Sequence, residues 1–316
     1  MNFLKTVSCK LFEIDFSDRS FPFSFGELPQ KLLASVDHVG ILQPPLLLES
    51  AVGYKIVCGR RRLEALKRSR TQDLEIEILA AAGNHGRELF RRALWENLAQ
   101  REFNPVEIAD IYVRALELFS PDEVLAEIQP ALKIPQKERF HRRYQAIAGF
   151  SEELRELLAA GVIDPESVDL MREWDAAENQ ALIDLITETG LRRNKLREVI
   201  GRLDDLARRD GVSPCEPLAS AYTAIRDDAG KLAIADLRAQ LKAQLYPHLT
   251  AARRDFSEKL ARLSLPAEIR LDPPPDFEGG EFKLCFSFSD SRQWQASCRK
   301  LNAIAQEDID ELCSRT

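Results

Sequence analysis

The sequence runs to 316 residues, more than one ordinary core supports, so two or three domains are expected. Apolar residues make up 45% and charged residues 30%, a globular balance, with no apolar run near the ~20 residues of a membrane span and no basic-then-apolar start that would read as a secretory signal. The net charge of −7 argues against a nucleic-acid partner only for the chain as a whole, because DNA feels the local face that approaches it.

In chain order, Lys10 to Phe16 alternate apolar and polar, the period of a half-buried strand. Glu27 to Val39 carry Leu28, Leu32, Leu33 and Val36 on one helical stripe that ends before Gly40. Pro45–Glu49 and Tyr54–Val57 read as short strands turned by Ala51-Val52-Gly53; a basic helix opens at Gly59, and Leu74–Leu79 reads as a further strand. From Arg87 to about residue 263 the pattern is helical, with breaks expected at Pro105, Pro121, Pro130, Pro135, Gly161 to Pro165, and Gly190. Gly211 to Pro217 is the expected linker. Beyond it Leu237, Leu241, Leu245 and Leu249 share a helical face disturbed by Pro247. The tail reads as Phe256–Leu263 helix, Ala267–Leu271 and Phe282–Phe288 strands, and Arg292–Ile304 helix. The six cysteines include no Cys-x-x-Cys pair and there are four histidines, which argues against zinc and for reduced, buried thiols in the cytoplasm.

Three stretches carry chemistry. The first holds Gly40-Ile41-Leu42-Gln43-Pro44, the second Cys58-Gly59-Arg60-Arg61-Arg62-Leu63-Glu64-Ala65, and the third Glu96-Asn97-Leu98-Ala99-Gln100-Arg101-Glu102-Phe103-Asn104-Pro105-Val106-Glu107. A strand turning through Gly59 into a helix points backbone N–H groups and the positive dipole end at one spot, and three arginines there supply forked donors for phosphate oxygens. Glu96 and Asn97 add a carboxylate for a metal ion or ribose and an amide for hydrogen bonding. Taken alone, the Gly-Arg-Arg-Arg run reads more readily as a solvated basic helix face.

Together the three stretches, in this order, resemble the N-terminal domain of the ParB partition proteins, in the ParB/sulfiredoxin superfamily. The family pattern Gly-x-Leu-Gln-Pro is matched at Gly40, Leu42, Gln43 and Pro44; Gly-Glu-Arg-Arg at Gly59, Arg61 and Arg62, with Ala65 beyond; and Glu-Asn-x-x-Arg-x-x-Leu-Asn-Pro-x-Glu at Glu96, Asn97, Arg101, Asn104, Pro105 and Glu107, with Phe103 in place of leucine. The resemblance covers about residues 10–115. It implies a pocket for CTP with Mg2+, made of Gln43, Gly59, Arg60, Arg61, Arg62, Glu96, Asn97 and Arg101, with Glu96 the candidate Mg2+ ligand. It also implies that nucleotide and DNA together close two subunits into a clamp. Arg60 departs from the family glutamate, which is associated with metal and hydrolysis, so nucleotide binding is expected to survive with weak hydrolysis: at most a weak CTPase. Cys58 precedes Gly59, whereas the reactive cysteine of the related sulfiredoxins follows the glycines, so it reads as a small buried residue.

Asp122–Ile128 and Gln136–Ile147 read as two helices, the second bearing Lys137, Arg139, His141, Arg142 and Arg143, as a helix-turn-helix requires of its second helix. ParB proteins carry such a motif at this place, and the five residues are the candidate DNA contacts; a solvated basic helix stays open. Arg192 to Arg197 divides evenly between phosphate contacts and a solvated face. The tail follows the ParB order of helix, hairpin and helix, through which two subunits pair. The expected fold class is a multidomain α+β chain: residues 1–115 a ParB/sulfiredoxin-like α/β nucleotide-binding domain, 116–210 an all-α domain with the helix-turn-helix, and 218–316 a small α+β dimerisation domain. The expected function is a nucleoid-associated, CTP-gated homodimeric clamp on a palindromic double-stranded DNA site, serving chromosome or plasmid segregation. A ParA-type ATPase partner is left open, unsupported by the first ten residues, and no membrane contact is expected. The alternatives are a ParB-like nucleotide-binding adaptor or transcriptional regulator without site-specific DNA binding, and a ParB-like nuclease or phosphotransferase.

Overall fold

Strand-forming residues open the chain, and pairing partners far along it decide where the strands lie. The computed structural model describes residues 4–21, 23–69, 74–83, 85–225, 234–265, 268–279 and 281–313, and the chain divides into two units, Met1–Gly201 and Arg202–Thr316.

The first unit is built on a five-stranded mixed sheet of order β1-β5-β3-β4-β2, comprising β1 (Leu4–Lys10), β2 (Ile14–Asp15), β3 (Leu46–Ser50), β4 (Gly53–Cys58) and β5 (Glu75–Ala81). The hairpin β3–β4 is antiparallel with a bulge between Leu46 and Leu47, β1 is antiparallel to β5, and β2–β4 and β3–β5 are parallel. The expected strand from Lys10 to Phe16 is corrected. The long strand lies upstream, paired Val7 to Ile78; of the expected stretch only Ile14–Asp15 is strand, as β2, and Leu11–Glu13 form a 3-10 turn in which the Glu13 carboxylate accepts the Lys10 N–H at 2.6 Å. The turn buries Leu11 and leaves Phe12 exposed, and β2 buries Ile14, which imitates a single alternating strand in the sequence.

The two-residue period of the strands sorts side chains between two cores. Ile56, Ile76, Ile78 and Leu47 pack with Leu28 and Val36 of the segment leading through α1 (Gln30–Val39) and with Leu63 and Leu66 of α2 (Arg60–Ser69). Val57, Cys58, Leu46 and Ala81 pack on the other face with Leu89, Phe90, Ala93 and Leu94 of α3 (Gly86–Gln100) and with Ile111, Tyr112 and Ala115 of α4 (Pro105–Leu118). The sheet is therefore covered on both faces.

The rest of this unit is helical. α4 starts at the expected break, where Asn104 accepts the Val106 and Glu107 N–H groups and Pro105 needs no donor. Pro130 does not break the next helix as expected. α5 (Pro121–Glu123) runs through a π turn over Val124–Ile128 into α6 (Gln129–Ala131), and the wide turn accommodates a proline ring and a missing N–H. After Leu132–Lys137 follow α7 (Glu138–Gly149), α8 (Glu152–Ala159), α9 (Val168–Met171), α10 (Ala176–Thr189), capped by Gly190 at φ 67°, and α11 (Arg193–Asp210), within which the division falls.

In the second unit, α12 (Cys215–Ile225) and α13 (Ile234–Leu245) pack together, and Pro247 starts a new helix, α14 (Pro247–Arg262), so the leucine face is split between two helices. The tail order follows the sequence reading: β6 (Ile269–Asp272) pairs antiparallel with β7 (Lys283–Phe286), then come α15 (Ser291–Asn302) and α16 (Gln306–Cys313). Ala267 lies outside the described residues. No described helix is long and apolar enough to cross a membrane.

Candidate functional site

β4 ends at Cys58 and the chain turns into α2 through Gly59, whose φ is +91°. A Cβ there would sit 2.9 Å from Pro45 Cβ, so the turn fits glycine alone. A cavity of about 270 Å³ opens at this turn. Its wall brings together Gly59, Arg60, Arg61, Arg62, Asn97 and Arg101 of the sequence-predicted residues, with Phe21, Phe23, Ser24, Val57 and Gln100.

The arginines differ in what they hold. Arg60 is 6% exposed; its guanidinium donates to the carbonyls of Phe16 at 2.9 Å and of Asp18, with Glu64 at 3.6 Å. Burial, then the neighbouring Arg19, lowers its pKa. The side chain thus braces the segment that leads to Phe21 and Phe23. Arg61 donates to Ser24 Oγ at 3.0 Å and to Glu107 at 2.9 Å, and burial followed by repulsion from Arg101 lowers its pKa. Arg62 donates to the Gln43 carbonyl at 2.5 Å and lies 3.7 Å from Glu96. Arg101 grips both carboxylate oxygens of Glu107, at 2.7 and 2.9 Å, with Phe103 beneath it. Gln43 is exposed and reaches the site through its carbonyl rather than as a wall residue. Glu96 stands behind Arg62, outside the wall, and Asn97 donates to the Ala93 carbonyl at 2.8 Å and faces Cys58 Sγ at 3.5 Å.

Burial, reinforced by the charge of Glu96, pushes the Cys58 thiol up to about 12. It is a buried wall residue and no thiolate nucleophile.

Glu107 organises the site and has no site role in the sequence reading. It is fully buried, and its carboxylate accepts from Arg61, twice from Arg101, and from the N–H groups of Phe25 and Asn104. Its signal in the sequence was the capping box of Asn104 and Glu107, which announced a helix start and not an arginine anchor. Phe21, Phe23 and Ser24 had no signal, because the stretch has neither helical nor strand period.

A free triphosphate suits this donor set, with forked guanidiniums beside a helix start. A protein-held Mg2+ does not, because no carboxylate is among the wall residues and an arginine follows Gly59. Among the described residues no group of three or more His, Cys, Asp or Glu gathers as a metal site.

The five candidate DNA contacts fall into two sets. Lys137, at the N-cap of α7, and Arg139 and Arg142 on it are exposed; Arg139 lies over Phe140 and Arg142 pairs with Glu138 at 3.0 Å. His141 and Arg143 turn inward. His141 Nδ1 meets the Tyr112 hydroxyl at 2.9 Å, which also accepts from Gln129. Arg143 is buried and bidentate to Asp169, whose carboxylate raises its pKa. Both side chains fasten α7 to its neighbours. Of the Arg192–Arg197 run, Arg193 donates to the Gly161 carbonyl and Arg197 pairs with Asp164 and Glu166. A second attachment joins α3 to α5 and the π turn: Arg87 and Arg91 stack over Phe119 and pair with Glu123 and Glu127.

No protein-family model matches the chain. It is similar to the probable chromosome-partitioning protein ParB of Chlamydia pneumoniae, 26% identical over 185 residues, 56% of this chain and 57% of that protein. It is 34% identical over 103 residues to the chromosome-partitioning protein Spo0J of Thermus thermophilus, 32% of this chain and 37% of that protein. It is 28% identical over 198 residues to stage 0 sporulation protein J of Bacillus subtilis, 62% of this chain and 67% of that protein. The chain spans a little over half the length of the Chlamydia pneumoniae relative.

Proposed function

The chain belongs to the ParB family, and from that premise we propose that it is a nucleotide-gated, DNA-binding partition protein working as a homodimer. The observation that carries the reading is the guanidinium-walled cavity at the start of α2. Arg61, Arg62 and Arg101 bring positive charge to the wall for phosphate oxygens, and the first N–H groups of α2 lie beside them. Phe21, Phe23 and Val57 supply an apolar wall for base and sugar. The resemblance makes the nucleotide CTP; the Mg2+ that it also implies finds no carboxylate on this wall. Arg60 holds two backbone carbonyls where the family has a carboxylate, so turnover is weak or absent.

In this reading residues 1–115 bind nucleotide, 116–210 read DNA and 218–316 pair two copies. The α5–α6 segment and α7 form the helix pair, and Lys137, Arg139 and Arg142 face the DNA. Pairing is supported by an exposed aromatic group in the tail: Phe288 and Trp294 lie 4.9 Å apart, both against Phe286, with Leu284 exposed alongside. A second copy would cover it. The protein would work on the nucleoid, in the cytoplasm, for a chromosome or plasmid, with a ParA-type ATPase as an open partner.

One observation favours the second reading, an adaptor without site-specific DNA binding: His141 and Arg143 face inward, leaving three of the five candidate cations exposed, Lys137 at the N-cap of α7 and Arg139 and Arg142 on it, in a chain with net charge −7. Selection from a randomised duplex pool, with and without CTP, separates the two. Recovery of one palindrome, lost in Arg139→Ala/Arg142→Ala and no longer tuned by CTP in Arg61→Ala, supports the clamp. Sequence-blind binding that falls steeply with salt selects the adaptor.

A further inference from the structure

We propose that this cavity takes its polyphosphate ligand without a protein-held divalent cation, its guanidiniums doing the work a metal ion does elsewhere. The inference rests on the nucleotide reading above and deepens it.

The charged residues of the wall are Arg60, Arg61, Arg62 and Arg101, and no aspartate or glutamate is among them. Three acids paired with these arginines are each engaged from outside the wall. Glu107 is fully buried, and its two oxygens receive five hydrogen bonds from Arg61, Arg101, Phe25 and Asn104. Glu64 lies 3.6 Å from Arg60, and Glu96 lies 3.7 Å from Arg62. Glu96 also stands beside the buried Cys58 thiol, which burial and then the Glu96 charge hold protonated.

A hard dication binds through oxygen, and even Mg2+, which keeps most of its waters, takes one or two protein carboxylates beside the phosphates. Here the position after Gly59 holds a buried guanidinium clamped by the Phe16 and Asp18 carbonyls, which cannot turn over to become a ligand. Recruiting Glu96 would strip Arg62 of its carboxylate and set a dication among four guanidiniums. A fully ionised triphosphate meets the opposite situation: every charged group it faces on the wall is a cation with N–H donors. Free CTP should therefore bind at least as well as its magnesium complex.

The test is calorimetric titration of the full chain with CTP in excess Mg2+ and in EDTA at matched ionic strength, alongside sodium tripolyphosphate in EDTA. An affinity in EDTA within about twofold of that in Mg2+, or tighter, is the expected result. A larger loss in EDTA, restored by Mg2+, overturns this inference and leaves the nucleotide reading standing. Tripolyphosphate binding in EDTA with no CTP binding under either condition reverses that: the metal-free anion site survives and the nucleotide reading falls. No binding of either probe removes both.

Discussion

Glu107→Gln keeps the shape of the side chain and removes its charge, so it isolates what the buried carboxylate does. In the native site Oε1 accepts from Phe25 N–H, Arg61 and Arg101 at 2.9 to 3.0 Å, and Oε2 from Asn104 N–H at 3.0 Å and Arg101 at 2.7 Å. An amide has one oxygen, and its NH2 group is best placed at the Oε2 position, where two donors then confront a donor. Each unsatisfied buried donor costs roughly 1–3 kcal/mol, and stripping one partner from a buried ion pair costs about 3–5 kcal/mol. The unit holding the cavity should therefore lose about 3–5 kcal/mol, a large share of a typical ~5–15 kcal/mol. Cys58 provides the assay. It is 5% exposed in the cavity wall, and burial holds its thiol at about 12, so a disulfide reagent attacks it slowly until the unit opens. At about 1.4 kcal/mol per tenfold, labelling under native conditions should accelerate by roughly two to four orders of magnitude. Buried Cys9 gives a second reading in the same unit. Acceleration of less than about threefold would refute the reasoning, because the carboxylate would then be no anchor.

Three further outcomes are expected. Gly59→Ala places a side chain at φ +91° and 2.9 Å from Pro45 Cβ, so it should cost about 1–3 kcal/mol in urea unfolding and weaken nucleotide binding through displacement of α2; full CTP affinity would contradict the turn's role. Arg143→Ala should lower stability by about 2–3 kcal/mol through loss of the Asp169 pair, whereas Arg139→Ala should leave stability within about 0.5 kcal/mol and weaken DNA binding; equal melting temperatures for the two variants would return Arg143 to the DNA face. The Glu123 carboxyl is held at about 2, first by the Ser120 N–H and hydroxyl and then by Arg87 and Arg91. Because the folded value lies below the ordinary 4.5, its stabilisation is present above pH 4.5 and lost as pH falls toward 2. The gap in Tm between wild type and Glu123→Gln should shrink across that window, and a gap constant from pH 6 to pH 2.5 would exclude it.

What was legible locally and what was not divides along one physical line. Features that depend on neighbours a few residues apart could be read from the chain alone: the glycine turn into a basic helix, the start of α4 at Asn104-Pro105, the β3–β4 hairpin, and the helix–hairpin–helix order of the tail. Those are set by backbone freedom, missing N–H groups and apolar period, which travel with the local chain. Where the charged side chains point depends instead on the packed fold. Arg60, Arg61 and Arg62 are consecutive, yet one braces the Phe16 and Asp18 carbonyls, one holds Glu107, and one reaches the Gln43 carbonyl. His141 and Arg143, adjacent to exposed Arg142, turn to Tyr112 and Asp169. A partly buried cation must find its acceptors wherever packing has brought them, in these cases up to 46 residues away, and no local pattern encodes that choice.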